Sequence, residues 1–323
     1  MSETETLIDQ NVKRVTAYAP ATSANFAVGF DILGFAIAGV GDRATLIKRD
    51  DNQLVIKSIT GVLDAKKVPL DLRKNISAGV IEKFLADHRL DVGFDLYLQK
   101  GIDLGSGMGG SAASAVSAAM AVNAFLKNPQ PLTELIDYAV YGESLVSGVH
   151  HADNVVPSMF GGLCLIQTEK PCRFIQLPDN GLYAVVVKSS QHVSTRGARK
   201  RLVDPFPIST IVKHSANLAA TIAGLYRNDV SLLRRHLDDV LVEPRRSDAI
   251  RGFDEVKQAA IANGAIGCGI SGSGPAIFAL AEDKVTAIDI QNAMIAATKA
   301  QKLRAKSWIT ALDTEGAIIE DKL

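Results

Sequence analysis

The sequence predicts an α+β protein of two domains, and three observations support this expectation. The chain has 323 residues, which exceeds one typical domain and suits two. Strand-like and helix-like segments alternate, but without the regular βαβ period of a barrel or a Rossmann sheet. No repeat of solenoid period occurs. We therefore expect two α+β layers, one formed by residues 1–170 and the other by residues 171–323.

Composition limits the classes of partner. Hydrophobic residues make up 47% of the chain and charged residues 22%, so a substantial core is expected and long disordered segments are not. Lys plus Arg and Asp plus Glu both number 35. Because this balance is neutral, it gives no electrostatic case for binding nucleic acid or an anionic membrane. The expected partner is a small molecule.

Cysteine usage and the first residues favour a cytoplasmic protein. Cys164, Cys172 and Cys268 match no zinc-binding spacing, and three cysteines cannot all pair within one chain, which favours a reducing compartment. Residues 1–14 are polar and partly acidic, unlike a signal or transit peptide. No apolar run approaches the length that a bilayer span requires. We expect a cytoplasmic location without membrane contact.

Apolar patterning predicts the elements of the first domain. Residues 15–37 mix strand-like alternation with small residues, and residues 74–90 carry apolar side chains at helical spacing. Pro129 and Pro131 should end one helix, and Thr133 can cap the next. The other elements predicted here are strands at 44–50, 53–59 and 93–100 and helices at 111–126 and 133–148.

The second domain is predicted to contain the same two kinds of element. Apolar strands at 161–167 and 182–190 lie on either side of the expected boundary. The remaining predicted elements are helices near 209–227, 230–241 and 247–263, a glycine-rich turn at 267–274, a strand at 275–280, a helix at 285–301 and a strand near Trp308.

The stretch GIDLGSGMGGSAAS, residues 101–114, places many glycines directly before a helix of small residues. Glycine weakens regular elements, so this density needs a reason. Gly105, Gly107 and Gly110 fit the G-x-G-x-x-G pattern of dinucleotide-binding folds, but two prolines and another helix stand where that fold needs a strand. A Walker A loop is excluded because no Gly-Lys-Ser/Thr occurs.

Two interpretations of the loop remain. A flexible connector before a closely packed helix accounts for the small residues of the helix but not for the glycines. A phosphate-binding loop accounts for both, because backbone N–H groups at a helix N-terminus converge on an anion and the helix dipole adds to the attraction. Ser106 and Ser111 would supply hydroxyl groups at the same end. We favour the phosphate-binding loop.

The segment LGSGMGGSAAS resembles the phosphate loop of the GHMP kinases, whose consensus is roughly P-x-x-x-G-L-G-S-S-A-A. Met108 and Gly110 depart from the usual Leu and Ser, and Leu104 lies close to the usual proline. Gly110 removes a hydroxyl group but keeps access to the backbone. The residues that this resemblance assigns to ATP binding are Leu104, Gly105, Ser106, Gly107, Met108, Gly109, Gly110 and Ser111.

Other segments are similar to the homoserine kinases within that superfamily, and they follow in the family's order over nearly the whole chain. The resemblance implies an N-terminal domain of the ribosomal protein S5 domain 2 type and a ferredoxin-like C-terminal domain. It also implies ATP-dependent phosphorylation of the side-chain hydroxyl of L-homoserine. The matching segments are 19–36, 141–162, 192–199, 242–246, 269–280 and 312–321.

Glu143 continues an apolar helical stripe that includes Ala139 and Val140, so its carboxylate should face inward. A buried carboxylate is unfavourable unless it is paired or bound to a metal. A buried salt bridge is the general alternative. The resemblance implies instead that Glu143 and Ser111 hold Mg²⁺ beside the phosphates, and Mg²⁺ suits a site with few protein oxygens.

The family pattern also assigns substrate contacts. Asn25 and Asp31 could be a turn former and a cap, but the resemblance gives Asn25 the substrate hydroxyl and Asp31 the ammonium. Most arginines are surface cations, whereas Arg199 and Arg246 match motifs in which a fork of N–H donors would clamp the α-carboxylate. Thr195 would add a hydroxyl group from the same loop as Arg199.

The position of the catalytic base is ambiguous by one residue. Other GHMP kinases place an aspartate near VHHADNVV, and counting back from the following glycine pair puts Asn154, not Asp153, at that place. Asparagine cannot take a proton, so catalysis would rest on positioning and charge stabilisation. His151 matches a position on the substrate side, and Asn75 matches a segment that contacts adenosine.

Two other functions are kept as alternatives. Another GHMP kinase could act on a different alcohol such as mevalonate, but that acid has no ammonium group for Asp31. A sensor on the same fold could bind ligand without turnover, but it would not need Ser111, Glu143 and the glycine loop together. The expected partners are L-homoserine and ATP with Mg²⁺, and the chain is expected to form a homodimer.

Overall fold

The computed structural model describes residues 7–148 and 151–323, and at residues 146, 147, 195 and 196 it describes the backbone alone. Within these ranges the strands are β1 (Arg14–Ala24), β2 (Leu33–Lys48), β3 (Leu54–Gly61), β4 (Phe94–Lys100), β5 (Leu163–Glu169), β6 (Cys172–Leu177), β7 (Tyr183–Ser189), β8 (Gly267–Ile270), β9 (Ala276–Ala281), β10 (Ala305–Ala311) and β11 (Ile318–Lys322).

The helices within the same ranges lie between successive strands of one sheet or the other. They are α1 (Ile76–Asp87), α2 (Gly110–Asn123), α3 (Leu132–Ser147), α4 (Val155–Phe160), α5 (Thr195–Lys200), α6 (Ile208–Arg227), α7 (Val230–His236), α8 (Glu243–Arg246), α9 (Phe253–Ala262) and α10 (Lys284–Ala300). Short 3-10 turns occur at Leu63–Lys67, Leu72–Lys74 and Ser247–Ala249. None of the helices in the described ranges is both long and apolar enough to span a bilayer.

The first sheet is built around the long strand β2. Its path is β11-β1-β2-β4-β3, and the β5–β6 hairpin joins it through β5 and the first residues of β2. Only β3 and β4 pair in parallel, so the sheet is otherwise antiparallel over the described residues. The β1–β2 register shifts between Pro20 and Ala21, where proline lacks the N–H group that the ladder needs.

Helix α2 packs directly on this sheet, against β1 and β2 and between α1 and α3. Every residue from Ala112 to Asn123 is buried. Alanine and serine side chains permit this close approach, because they hold the helix backbone near the strands without leaving voids. The expected helix of small residues is therefore present, and it lies in the middle of the core.

The second sheet has the strand order β10-β7-β9-β8 and is antiparallel. Together with the helices between β7 and β8 and the helix α10, it follows the β-α-β-β-α-β order of the ferredoxin-like fold. Helices α9 and α10 cover one face of it. The α+β expectation is confirmed.

The other face of the second sheet packs on the first domain. Phe278 from β9 meets Phe26 and Phe35, with ring centroids 5.7 and 5.6 Å apart. All three rings are fully buried, and a single apolar cluster includes residues of both sheets. The two domains thus share a core, and the expected active-site segments lie where they meet.

The chain path qualifies the expected division at residue 170. Strand β6 continues the hairpin of β5, so the first sheet extends to Leu177. The last strand, β11, returns to pair with β1. A division by sheets would fall between β6 and β7, with β11 added to the first domain.

Several predicted boundaries also differ from those observed. Helix α3 starts at Leu132 after Pro131, and Thr133 does not cap it. The helix expected at 230–241 ends at His236, and a separate short helix begins at Glu243. Gly252 interrupts the helix expected at 247–263, because its φ of +80° is left-handed.

Candidate active site

The glycine loop connects the end of β4 to α2, and it depends on three left-handed glycines. Gly105, Gly107 and Gly109 have φ of +61°, +77° and +61°. A Cβ added at Gly109 would lie 1.9 Å from Thr22 Oγ1, and one at Gly107 would lie 2.5 Å from the carbonyl oxygen of Ser271. Both steric space and backbone conformation therefore require glycine.

The N-terminus of α2 has no side-chain cap, because its N-cap residue is Gly109. The N–H groups of a first turn have no partner within the helix. Together with the helix dipole they favour an anion at this end. Ser111 lies in the same first turn, as the second residue of the helix.

The turn at residues 271–274 supports the glycine loop from behind. Ser271 is fully buried, and its hydroxyl donates a hydrogen bond of 2.7 Å to the carbonyl oxygen of Gly107. The N–H of Ala276 donates to the carbonyl oxygen of Ser106 at 3.2 Å. This arrangement gives Ser271 a role in holding the loop.

Some side chains of the glycine loop point into the core, and others are partly exposed. Ser106 and Met108 are each 2% exposed, and Met108 packs in the main core cluster. The carbonyl oxygen of Met108 accepts a hydrogen bond from the N–H of Thr22 at 3.2 Å. Leu104 is partly exposed. Buried side chains leave the backbone of the loop to face an anion.

Glu143 lies on α3 and reaches the first turn of α2. The hydroxyl of Ser111 donates a hydrogen bond to its carboxylate. Burial raises the pKa of Glu143, and the Ser111 hydrogen bond and the charge of Lys100 oppose part of that rise. An inward carboxylate and a hydroxyl next to a phosphate site are hard oxygen donors, which fit Mg²⁺.

Asp31 and Arg199 form a two-pronged ion pair across the two domains. Each of the two contacts, Nη1 to Oδ2 and Nη2 to Oδ1, is 3.1 Å long. His151 Nε2 lies 3.0 Å from Arg199 Nη2, and its Nδ1 lies 3.2 Å from Glu169 Oε1. These distances fit a neutral imidazole that donates through Nδ1 and accepts through Nε2.

Asn25 positions this cluster through its own side chain. Its Oδ1 accepts from the N–H of Asp31 at 3.1 Å, and its Nδ2 donates to the carbonyl oxygen of Gly272 at 2.8 Å. Asn25 and Asp31 both have left-handed backbones, with φ of +80° and +60°. Asn and Asp tolerate this conformation better than other side chains do.

Arg246 lies on α8 and is only 5% exposed. Its Nη1 donates to the carbonyl oxygen of Gly272 at 3.3 Å, while its Nε is buried without a hydrogen-bond partner among the described residues. Burial is the main cause that lowers its pKa from the usual value. A buried guanidinium with unused donors is suited to an incoming anion.

Phe30 joins the two arginines, and sequence reasoning did not single it out. The guanidinium carbons of Arg246 and Arg199 lie 4.9 and 5.7 Å from its ring centroid. Aromatic rings attract cations at such distances. Since Phe30 looks like one more apolar residue in its segment, only the fold shows that both arginines meet on it.

The short helix that carries Arg246 is held by another residue that the sequence did not indicate. Asp239 accepts from the N–H groups of Leu241, Val242 and Glu243 at 2.8, 2.9 and 2.9 Å. These bonds replace partners that the first N–H groups of a helix lack. They fix the start of α8 and, with it, the place of Arg246.

Asp153 and Asn154 both lie at the start of α4, but in different surroundings. Asn154 Oδ1 accepts from the hydroxyl of Thr22 at 2.7 Å and would lie 2.9 Å from a Cβ on Gly109. It is therefore next to the glycine loop. Asp153 is 5% exposed, and burial, together with the charges of Asp31 and Glu143, raises its pKa to about 7.

The side chain of one expected ligand contact has a local role, and that of another lies outside the described residues. Asn75 is the N-cap of α1, where its Oδ1 accepts from Ala78 N–H at 3.1 Å and its Nδ2 donates to the carbonyl oxygen of Pro69 at 2.9 Å. It is 2% exposed, and its side chain serves the local turn. The backbone of Thr195 begins α5, but its side chain lies outside the described residues.

Fold and site together point to a class of phosphate-binding enzymes, and family models identify it. The model for the GHMP kinases N terminal domain matches residues 75–162, and the model for the GHMP kinases C terminal domain matches residues 221–300. The first range contains the glycine loop, and the second contains the turn that supports it. The class is that of the GHMP kinases.

Relatives that match over nearly the whole chain narrow the class to one family of kinases. The chain is 40% identical to the homoserine kinase of Chlorobaculum tepidum, covering 95% of this chain and 98% of the relative, and 39% identical to that of Xanthomonas campestris pv. campestris, covering 95% and 94%. The crystal structure of homoserine kinase from Cytophaga hutchinsonii superposes with a TM-score of 0.91 at 38% identity, covering 95% and 97%. The chain belongs to the homoserine kinase family.

A more distant structure shares the fold alone. The crystal structure of L. major mevalonate kinase in complex with R-mevalonate has a TM-score of 0.69 at 15% identity, covering 95% of this chain and 98% of the other. The two-domain architecture is therefore common to kinases of different substrates.

Proposed function

We propose that the protein transfers the γ-phosphoryl group of ATP to the side-chain hydroxyl of L-homoserine and so supplies O-phospho-L-homoserine for threonine synthesis. One observation carries this proposal: the turn at residues 271–274 contacts both the glycine loop at the uncapped N-terminus of α2 and a cluster of one carboxylate and two guanidinium groups. The first suits phosphate, and the second suits the charged groups of an amino acid. The family membership supports the same activity.

The ATP phosphates would bind along the backbone of residues 104–111. The left-handed glycines leave the N–H groups accessible, and the dipole of α2 adds to the field. In phosphoryl transfer the protein contributes mainly positioning and charge stabilisation. A loop that is fixed from behind by Ser271 meets that requirement.

The homoserine zwitterion would exchange with the ion pair between Asp31 and Arg199. Its ammonium would take the place of Arg199 at Asp31, and its α-carboxylate would bind Arg199 and the unused donors of Arg246. The exchange keeps every charge paired, because the ammonium replaces Arg199 as the partner of Asp31 and the α-carboxylate replaces Asp31 as the partner of Arg199. A carboxylate without an ammonium, such as mevalonate, would leave Asp31 unpaired, which is costly.

Ser111 and Glu143 would hold Mg²⁺ between the protein and the phosphates. The hydrogen bond between them in the ligand-free protein brings both oxygens to one place. When bound, the ion neutralises charge on the phosphates. Glu143 contributes the charge that balances the metal, and Ser111 contributes a neutral oxygen.

The proton of the substrate hydroxyl would pass to the phosphate itself. Asn154 lies against the glycine loop and cannot accept a proton. Asp153 has a pKa of about 7, which would suit a general base, and it is the alternative acceptor. Its hydrogen bond of 3.3 Å from Asn154 Nδ2 supports a role in orienting Asn154 instead.

The substrate is tested by measuring ADP release with homoserine, serine, threonine and mevalonate as acceptors. We expect steady turnover with homoserine, since its hydroxyl and both charged groups match the site. Turnover that is highest with mevalonate would indicate another GHMP kinase. Calorimetric binding of homoserine and ATP without ADP release would indicate a sensor instead.

Cellular properties of the protein are also part of the proposal. The three cysteines are free thiols, and Cys164 and Cys268 are buried. Free thiols suit a reducing, cytoplasmic location, and we propose that the enzyme acts there as a homodimer.

A further inference from the structure

A buried ion pair lies behind the glycine loop, and the reaction as proposed does not use it. Lys100 is the last residue of β4, and its Nζ contacts Asp42 Oδ2 on β2. The side chains are 4% and 2% exposed. Buried ion pairs are unfavourable unless further hydrogen bonds satisfy both partners, so each member of this pair requires additional partners.

Asp42 binds the first residues of the glycine loop. Its Oδ1 accepts from the N–H groups of Gly101 and Ile102 at 3.0 and 3.3 Å. Its Oδ2 accepts from the hydroxyl of Ser114 at 2.7 Å. The Asp42 carboxylate therefore holds the start of the loop and also contacts α2, the helix that follows the loop.

Lys100 binds the end of the loop. Its Nζ donates to the carbonyl oxygen of Gly110 at 2.9 Å and also to the hydroxyl of Ser114. Gly110 and Ser114 belong to the first turns of α2. Because Asp42 and Lys100 contact each other, the two ends of residues 101–109 are joined through a single buried pair.

The ion pair also positions one expected Mg²⁺ ligand. Ser111 lies between Gly110 and Ser114 on the same turns of α2, and Lys100 contacts both of those residues. The ion pair thus influences Ser111 through the position of the backbone.

We propose that Lys100, Asp42 and Ser114 are positioning residues for the bound nucleotide. They fix the distance between the two ends of the glycine loop and the orientation of the first turn of α2. They act through the backbone that faces the phosphates and through Ser111. The proposal rests on the proposed function in one respect, that the anion at this loop is MgATP.

Ser114→Ala tests the proposal, with Ser117→Ala as its matched control. Ser117 is fully buried on the same helix, but its hydroxyl donates to the carbonyl oxygen of Ser114 at 3.2 Å and lies outside the ion-pair network. Both variants lose one buried hydroxyl, and Ser114→Ala should melt at the lower temperature because that hydroxyl bonds both charges of the pair. Only Ser114→Ala should raise KM for ATP, by about fivefold to tenfold, with KM for homoserine unchanged.

A second variant removes the charges together. Lys100→Met combined with Asp42→Asn keeps an amide oxygen for the N–H groups of Gly101 and Ile102 and leaves no unpaired buried charge. We expect weaker MgATP binding in calorimetry and a higher Mg²⁺ concentration for half-maximal turnover. This variant tests the same proposal if Ser114→Ala fails to fold.

Two kinetic results would overturn the proposal. One is an equal KM for ATP in Ser114→Ala and Ser117→Ala, and the other is a parallel rise of both KM values in Ser114→Ala, which indicates general loosening. MgATP binding by the neutral double variant at wild-type affinity would also contradict it. An inactive wild-type protein that still binds MgATP would refute the proposed function alone, since calorimetry would still compare the variants.

Discussion

At the scale of single residues, the substrate site depends on charges that the ligand-free protein pairs with one another. Asp31 occupies the fork of Arg199 while Arg246 keeps unused donors beside Phe30. An amino acid must therefore compete with an existing ion pair. This competition favours a ligand that carries both charges, since a ligand with one charge leaves either Asp31 or Arg199 without a partner of opposite charge.

Replacing Arg246 by Lys should weaken homoserine binding. Lysine has no planar fork and cannot reproduce two parallel hydrogen bonds to a carboxylate. Loss of one charge-assisted hydrogen bond, roughly 1.5–3 kcal/mol, corresponds to an increase of KM for homoserine of about tenfold or more. We expect KM for ATP to stay near the wild-type value, and Arg199→Lys to behave likewise.

Arg245→Lys is the control for this prediction. Arg245 lies on the same short helix, but its guanidinium carbon is 3.5 Å from the ring centroid of Phe206, and its donors bind the carbonyl oxygens of Asp204 and Pro205. An unchanged KM for homoserine in both Arg246→Lys and Arg199→Lys would exclude the carboxylate clamp.

Asp153→Asn separates a general base from an orienting residue. Asn154 lies against the glycine loop, so we expect appreciable turnover in this variant, measured as kcat with saturating ATP and homoserine. A fall in kcat beyond about a thousandfold, with wild-type ATP binding, would identify Asp153 as a general base.

The same variant gives a pH-dependent difference in stability. The pKa of Asp153 is raised to about 7 from the usual value of 3.8, so its contribution to stability is complete below the unfolded pKa and is lost as pH rises through the folded pKa. Asn does not ionise. The melting temperature of Asp153→Asn relative to wild type should therefore rise between about pH 4 and pH 7, and a constant difference would contradict the assignment.

Glu143→Gln tests the metal site. Burial raises the pKa of Glu143, so the ionised form is unfavourable without a cation, and a neutral amide should keep or raise the melting temperature of the ligand-free protein. Turnover should fall strongly with a higher Mg²⁺ requirement, since the charge that balances the ion is lost.

The exposed Glu134 on the same helix provides the control variant, Glu134→Gln. Measurements of melting temperature and Mg²⁺ dependence on both variants separate the two interpretations of Glu143. A salt bridge would give a destabilised Glu143→Gln protein with a wild-type Mg²⁺ curve.

At the scale of elements, the glycine loop requires glycine in its sequence because its backbone is left-handed and closely packed. The left-handed glycines follow β4 and precede a helix whose small residues are all buried from Ala112 onward. A loop that is displaced by one bulky side chain cannot keep its place on the helix N-terminus. The backbone of the loop, rather than any one of its side chains, would face the phosphates in the proposed complex.

Gly109→Ala should impair ATP binding more than a left-handed alanine alone explains. Its Cβ would lie 1.9 Å from Thr22 Oγ1 and 2.9 Å from Asn154 Oδ1, so these side chains or the loop must move. We expect KM for ATP to rise at least about tenfold, the equivalent of about 1.4 kcal/mol, together with a lower melting temperature.

Gly181→Ala supplies the matched comparison, because Gly181 has a φ of +68° and nothing within 4 Å of an added Cβ. It carries the backbone strain without the clash. Equal kinetics for the two alanine variants would show that the clash at Gly109 is unimportant.

Local sequence pattern predicted elements better than it predicted the contacts between them. The glycine loop and the inward position of Glu143 follow from spacing along one segment. By contrast, Asp42 meets Lys100 across 58 residues, and Phe30 meets Arg246 only after both domains have packed. Such pairs have no local signal, because either partner alone is an ordinary residue of its strand or loop.

At the scale of the whole molecule, β11 ties the end of the described chain to its beginning. It pairs with β1, and Leu323 exchanges backbone hydrogen bonds with Arg14. Ion pairs from Arg14 to Asp321 at 3.2 Å and from Arg43 to Glu320 at 2.7 Å lie along the same edge. The sheet that carries the active site is therefore completed by residues far from it in sequence.

Deleting residues 318–323 should lower the melting temperature and promote aggregation, although no expected site residue lies there. The deletion exposes the paired edge of β1, and exposed edges associate with other strands. Glu320→Ala is the control, because loss of a surface ion pair costs about 1 kcal/mol or less. Differential scanning fluorimetry and size-exclusion chromatography check both, and a deletion variant with wild-type melting and elution would show that β11 is dispensable.

The place of β11 also orders events during synthesis on the ribosome. Strand β1 emerges early, but its partner Ile318–Lys322 is translated after every other described strand. At elongation rates on the order of 5–20 residues per second, the edge of β1 stays open for roughly 15–60 seconds in each nascent chain. During that interval the nascent first domain exposes an unpaired strand edge, which can associate with other strands, and its sheet is complete only after β11 has been translated.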